Sequence, residues 1–548
     1  MRATNMKNRM MKTYRLVALA VWIALLSSAS YAAAPGITGG AGTPLFNLTA
    51  QAAYLSQPDG QAIYSWGYGC SVAPSGYLPT AISGTFCNTM QVPGPTLIVT
   101  EGDTVTVKLT NGLPTPAGNT SILFPGFTLQ PFTDGTPGLL TQEAAPGSSV
   151  TYKFTATTPG TRAYYSGTQG DLQVEMGLYG AIIVLPLPAN VPTACTSGIH
   201  ASNVSAQKHW GESDFRLSQS AYDDPHTCYD REYLFQFSEI DPVIHRQALA
   251  QITAAGNCTA GAAGCSLNVP TEPYHPAYFM INGRSMPDDM DPNYASQYPH
   301  QPYNGDPHMH PGELTLLRII GQGRWQHPFH EHGNHVRILA RDGNLLLTPD
   351  GTGLAGPLLF TTTTTPGVAM DGIFYWTAKG LNWDAYGHVK VSQTGDPNAI
   401  LPCTPDADGY NTGDPTAINY FEWCQDHNKP LQVAPFGDVG AGGPATLPDP
   451  NLFTNGPWFS GSPYLGPDAT TRATFGTCTG SNNTTSCTTT GTTPPSGTIA
   501  NSPSSEAGFA FMWHSHNERE ITTNNIFPGG MLMMMLVDSR EFVINETN

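Results

Sequence analysis

Apolar and polar positions along this chain alternate in short runs. Val105, Val107 and Leu109 alternate with Thr104, Thr106 and Lys108, which makes one side of an extended segment apolar and the other polar. That period of two is the pattern of a half-buried strand. Pro93-Gly94-Pro95 before it and Asn111-Gly112 after it carry turn chemistry. Further runs of strand length stand at Ser149 to Thr155, Gly180 to Leu185, Arg231 to Glu239, Tyr278 to Arg284 and Glu313 to Ile320. Runs with a helical apolar period are scarce. The pattern predicts an all-β protein. Residues 35–188 read as one β-sandwich, 189–229 as a cysteine-containing connector, and 230–548 as a second β-rich domain. Within the second domain, about 392–507 is rich in Gly, Pro, Asp, Asn and Thr and reads as a long loop-rich insertion.

Composition agrees with this reading. The 548 residues exceed one ordinary core, so two or more domains are expected. Charged residues make up 12% of the chain, while Gly (58) and Pro (48) are plentiful, which suits many short strands joined by turns. A hydrophobic share of 40% excludes wholesale disorder. The formal net charge of −18 repels phosphate backbones and attracts cations, so nucleic acid is excluded as a partner and a metal ion is favoured.

The first residues form a targeting segment. Arg2, Lys7, Arg9, Lys12 and Arg15 precede the apolar run Leu16 to Leu26, and Ala32-Ala33-Ala34 closes it. These are the parts of a secretory signal peptide over 1–34, and the expected location is secreted or periplasmic. No later run is long and apolar enough for a membrane span. Export also suits the ten cysteines, which pair by sequence proximity as Cys70–Cys87, Cys195–Cys228, Cys258–Cys265, Cys403–Cys424 and Cys478–Cys487. Proximity alone does not fix connectivity.

Two histidine clusters carry the candidate chemistry. One runs His327-Pro328-Phe329-His330-Glu331-His332, the other Trp513-His514-Ser515-His516. Residues i and i+2 of a strand point to one face, so two adjacent strands would bring four imidazoles to one volume. Imidazole suits copper, zinc, iron and nickel, and copper(II) is favoured by intrinsic affinity. The alternative is a set of imidazoles kept at a domain interface and satisfied by hydrogen bonds. His308 and His310 read as part of a solvated loop, and His388 as packed or hydrogen-bonded. Met531, Met533, Met534 and Met535 read as core filling in a final strand.

Pro93-Gly94-Pro95-Thr96 with Glu101-Gly102-Asp103, Pro159 through Ala181, His327 to Gly333, and the closing His514-Ser515-His516 together resemble the multicopper oxidases. The resemblance implies two cupredoxin-like Greek-key sandwiches. It also implies a type 1 copper that takes electrons and a trinuclear copper cluster held by four H-x-H pairs. His330, His332, His514 and His516 stand at retained cluster positions, and His327 at a type 1 position. The first-domain places hold Leu123, Pro125, Tyr165 and Gly167 instead of histidine. Ser515 stands where the family has its type 1 cysteine, and Glu518, Arg519 and Glu520 occupy the neighbourhood of the next type 1 histidine.

A serine hydroxyl does not replace a soft thiolate, and half the cluster imidazoles are gone, so an ordinary laccase-type cycle is excluded. The expectation is an exported copper-binding protein with a reduced, mono- or dinuclear histidine copper site. If it is an enzyme, it is an oxidoreductase acting on metal ions or small molecules. The alternative is a non-catalytic copper-sequestering or extracellular interaction protein. By analogy with two-domain relatives, a homo-oligomer is a further expectation.

Overall fold

The computed structural model describes residues 34–79, 87–380, 402–417, 419–427, 461–465, 475–479, 486–489, 507–538, 540 and 543–544. The expected signal segment up to residue 33, and His388, lie outside the described residues. The alternation read at 104–109 becomes the strand Thr104–Asn111, with Val105, Val107 and Leu109 buried and Lys108 exposed. It sits in a four-stranded sheet ordered Ala62–Cys70, Leu45–Ser56, Thr104–Asn111, Ser149–Thr155. A five-stranded sheet faces it, ordered Gly160–Tyr165, Tyr179–Leu185, Leu97–Thr100, Gly36–Thr38, Gly76–Leu78. Trp66, Leu109, Tyr152, Val99 and Ile182 share the core between them. Each such buried side chain contributes roughly 1.5–3 kcal/mol by leaving water.

A second sandwich follows. One sheet is ordered Tyr278–Ile281, Arg231–Ile240, Leu314–Gly321, Ala369–Tyr375, Val336–Arg341, Asn344–Leu345. The other runs His308–Met309, Leu532–Asp538, Ala507–Ser515, His327–Glu331, Thr361–Thr364. Phe235, Phe237, Leu317 and Phe374 from the first meet Phe329, Trp513, Met533 and Met535 from the second. The methionine cluster is therefore core filling, with Met531, Met533 and Met535 fully buried. The fold is all-β, two cupredoxin-like sandwiches.

The sandwiches pack on each other through Ile98, Ala163 and Ile183 of the first and Leu234, Ile320 and Ala369 of the second. Buried polar bonds cross the same face. Thr161 Oγ1 donates to Asp371 at 2.6 Å, and Gln322 Nε2 donates to the Gly180 carbonyl at 2.8 Å. The strand-rich reading omits the helix Pro242–Ala255, which starts with Pro242 in its first turn and the Asp241 side chain accepting the Val243 N–H. Four disulfides form as proximity suggests: Cys70–Cys87, Cys195–Cys228, Cys258–Cys265 and Cys403–Cys424. Cys478 and Cys487 are register partners in a two-stranded sheet. Within the insertion, Gly461–Leu465 pairs with Ala507–Ser515 and so extends the sheet that carries both histidine clusters. Among the described residues no helix is long and apolar enough to cross a membrane.

Candidate metal centre

The two histidine strands are antiparallel neighbours. Phe329 pairs with Ser515, His330 with His514 and Glu331 with Trp513. The period of two then sorts the side chains. Phe329 and Trp513 turn into the core, while His330 and His514 turn out, with His332 and His516 just past the strand ends. Trp513 Nε1 donates to the His332 carbonyl at 2.8 Å, and the His516 N–H to the Pro328 carbonyl at 2.8 Å. These bonds hold the two ends in place.

The four rings converge. Centroids lie 4.8 Å apart for His330 and His516, 5.0 Å for His330 and His332, and 5.1 Å for His332 and His514. His514 Nε2 and His332 Nε2 stand 3.3 Å apart. Two nitrogens bound to one tetrahedral metal at about 2.0–2.1 Å are separated by about the same distance. His330 Nδ1 meets Thr361 Oγ1 at 2.6 Å, and His514 Nδ1 meets the Ser515 carbonyl at 2.7 Å. Such partners on one ring nitrogen set the tautomer and leave coordination to Nε2. Burial first, then His516 and His514, lowers the His330 pKa to about 4, and burial lowers that of His514. Neutral imidazole is the form that binds metal. His330 is buried, His332 and His514 half-buried, and His516 exposed, so the cluster opens outward.

Neither acidic residue next to the histidines orients their rings. Glu331 turns into the core, where it accepts Thr362 Oγ1–H at 2.8 Å, and Glu518 is exposed. Thr361 and the Ser515 carbonyl take that role. Neither is marked by residue type; only the pairing of His327–Glu331 with Thr361–Thr364 reveals Thr361.

His327 departs from the expected ligand set. At three residues from His330 it turns to the opposite face and is fully buried. Its Nε2 lies 3.0 Å from Glu239 Oε2 and its Nδ1 2.9 Å from Glu520 Oε2. Ser515 Oγ donates to the same Glu520 oxygen at 2.5 Å. Burial disfavours the charged ring, but the two carboxylates outweigh it and raise its pKa to about 9. At neutral pH His327 is a cation whose two nitrogens are both donors. The positions that resemble a type 1 copper site thus converge on an ion-pair array, which does not fit a copper ion: there is no thiolate and no imidazole lone pair.

The corresponding first-sandwich positions, Leu123, Pro125, Tyr165 and Gly167, carry no histidine. Leu123 and Tyr165 are bridge partners, and a Cβ on Gly167 would stand 2.8 Å from Leu123 Cγ. The Tyr165 hydroxyl lies against Gly367, and burial, then Asp342, raises its pKa, so the phenol keeps its proton. His308 and His310 are not solvated, contrary to the loop reading. Both are buried, His308 beside Asp538 at 2.5 Å and His310 beside Glu212 at 2.7 Å.

Comparison with known proteins finds likeness over part of the chain. Residues 80–188 match the multicopper oxidase family. A stretch of 108 residues is 40% identical to multicopper oxidase MCE of Talaromyces pinophilus, covering 19% of this chain and 17% of that protein. Another of 96 residues is 40% identical to L-ascorbate oxidase of Brassica rapa subsp. pekinensis, covering 17% of this chain and 16% of that protein. The solved blue copper oxidase from Nitrosomonas europaea aligns with a TM-score of 0.40 at 15% identity, over 90% of this chain and 85% of that one. The family match lies within the first sandwich. The sequence matches span less than a fifth of either curated relative.

Proposed function

We propose that the chain is an exported copper-binding protein with a reduced copper site, of one or two ions, held by His330, His332, His514 and His516. The observation that carries this reading is the 3.3 Å approach of His332 Nε2 and His514 Nε2, the His514 ring being held at Nδ1 by the Ser515 carbonyl. Bound copper supplies Lewis acidity and one-electron redox chemistry. Thr361 and the Ser515 carbonyl orient the imidazoles, and the outward opening admits a metal-ion or small-molecule substrate, which makes an oxidoreductase role accessible. Four disulfides support an oxidising compartment.

A second reading is favoured by the His327 array: with no type 1 copper to take electrons from a substrate, the same site sequesters copper without turnover. Copper loading of the purified chain tests the shared claim, since copper bound by the parent and lost in His330→Ala and His514→Ala supports it. Oxidase turnover that disappears in His514→Ala selects the catalytic reading. Bound copper without turnover selects sequestration.

A further inference from the structure

We propose a second cation site in the second sandwich, where Asp289, Asn304 and Asp306 bind a hard divalent cation, calcium first, through side-chain oxygens. Asp289 belongs to the single turn Asp288–Met290 and is fully buried. Neither of its carboxylate oxygens meets a hydrogen-bond donor beyond its own backbone N–H. Its main-chain carbonyl accepts the Gly305 N–H at 2.7 Å, and its Oδ2 stands 3.8 Å from where a Gly305 Cβ would lie. The carboxylate is therefore aimed at the Asn304-Gly305-Asp306 segment.

That segment carries the matching vacancies in hydrogen bonding. Asn304 is 1% exposed, and neither its Oδ1 nor its Nδ2 has a partner. Asp306 Oδ1 also lacks one, while its Oδ2 lies 3.5 Å from His308 Nε2. Buried polar groups are ordinarily satisfied, so a concentration of orphans marks a missing ion or water.

Charge decides between those two. Asp288, Asp289, Asp291, Asp306 and Asp538 act on one another here, against the cations Arg284 and His308. Both cations are already engaged. His308 lies against Asp538 at 2.5 Å, and Arg284 donates through Nε and Nη1 to the carbonyls of Gln301, Asp291 and Pro292. Water satisfies hydrogen bonds but leaves the excess negative charge in place. A proton on Asp289, which burial and then Asp306 favour, removes one charge but leaves Asp306 facing Asp538 and Asp291. A divalent cation removes the excess charge and takes the orphan oxygens together. An all-oxygen donor set drawn from irregular segments suits calcium, which accepts flexible coordination, better than copper.

The test uses the full chain, stripped with a chelator and titrated with calcium chloride alone in a calorimeter. The expected result is one calcium per chain and a thermal midpoint that rises with calcium. Both responses are lost in Asp289→Asn and Asp306→Asn and kept in His514→Ala. Should the variants fail to fold, the calcium response of the stripped parent still decides. The proposal is overturned if the parent shows neither binding heat nor a midpoint shift. It is overturned equally if Asp289→Asn binds calcium as the parent does.

Discussion

His327 Nδ1 lies 2.9 Å from Glu520 Oε2, at the place where the resemblance to multicopper oxidases puts two type 1 copper ligands. With Glu239 on the other side of the ring and Ser515 on Glu520, a protein cation stands where the family keeps a metal. Electron entry through a type 1 copper is thereby closed, and on the proposed reading copper held by the outward histidine cluster would supply the redox chemistry.

Removing the imidazole leaves two buried carboxylates without their counter-charge. His327→Ala is expected to lower stability by roughly 3–5 kcal/mol. Denaturant unfolding measures it, and a loss under about 1 kcal/mol would contradict the ion-pair account.

The raised pKa of His327 sets a pH dependence. Its folded value of about 9 lies above the ordinary histidine value of 6.5, so its stabilisation is complete below about 6.5 and is lost as pH rises through 9. His308, raised to about 10 by Asp538 and Asp306 against the opposing effect of burial, acts in the same direction. Stability should fall on the alkaline side by up to about 1.4 kcal/mol per pH unit for each proton released. In His327→Gln that slope should be shallower. An identical slope would show that His327 does not titrate there.

Thr361→Val removes the hydroxyl that is hydrogen-bonded to His330 Nδ1 and keeps the shape. Copper affinity at the cluster should drop about 10- to 100-fold, as for other groups that orient metal-bound imidazoles. Competition with a chromogenic chelator reads it, and unchanged affinity would remove Thr361 from the site.

Ser515→Cys alone should not turn the copper-loaded protein intensely blue, because Glu520 still stands in place of a second imidazole and His327 remains engaged. Strong thiolate-to-copper absorption in that variant would show that the array yields to metal.

The half of the site that was legible in the sequence is the half built on local periodicity. H-x-H pairs in strands share a face whatever the fold does, and the pairing of His330 with His514 joins the two sets. The same rule separates His327 from His330, yet its similarity to a ligand position outweighed the odd spacing. Its true partners could not be read: Glu239 is 88 residues away, and the bond exists only because the sheets pack. His308 and His310 were misplaced for the same reason. The local Pro and Asp content reads as solvated, while Asp538, 230 residues from His308, draws it into a buried pair. The alternation at Val105 to Leu109 reports burial directly, so the sandwich class was legible throughout.

Copper content of the purified, copper-loaded chain, read with electron paramagnetic resonance, tests the central claim most directly. The account predicts one or two copper ions per chain and no blue type 1 signal, with the copper lost when His330 and His514 are both changed to Ala. No bound copper in the parent, a type 1 signal, or copper that persists in the double variant would contradict it.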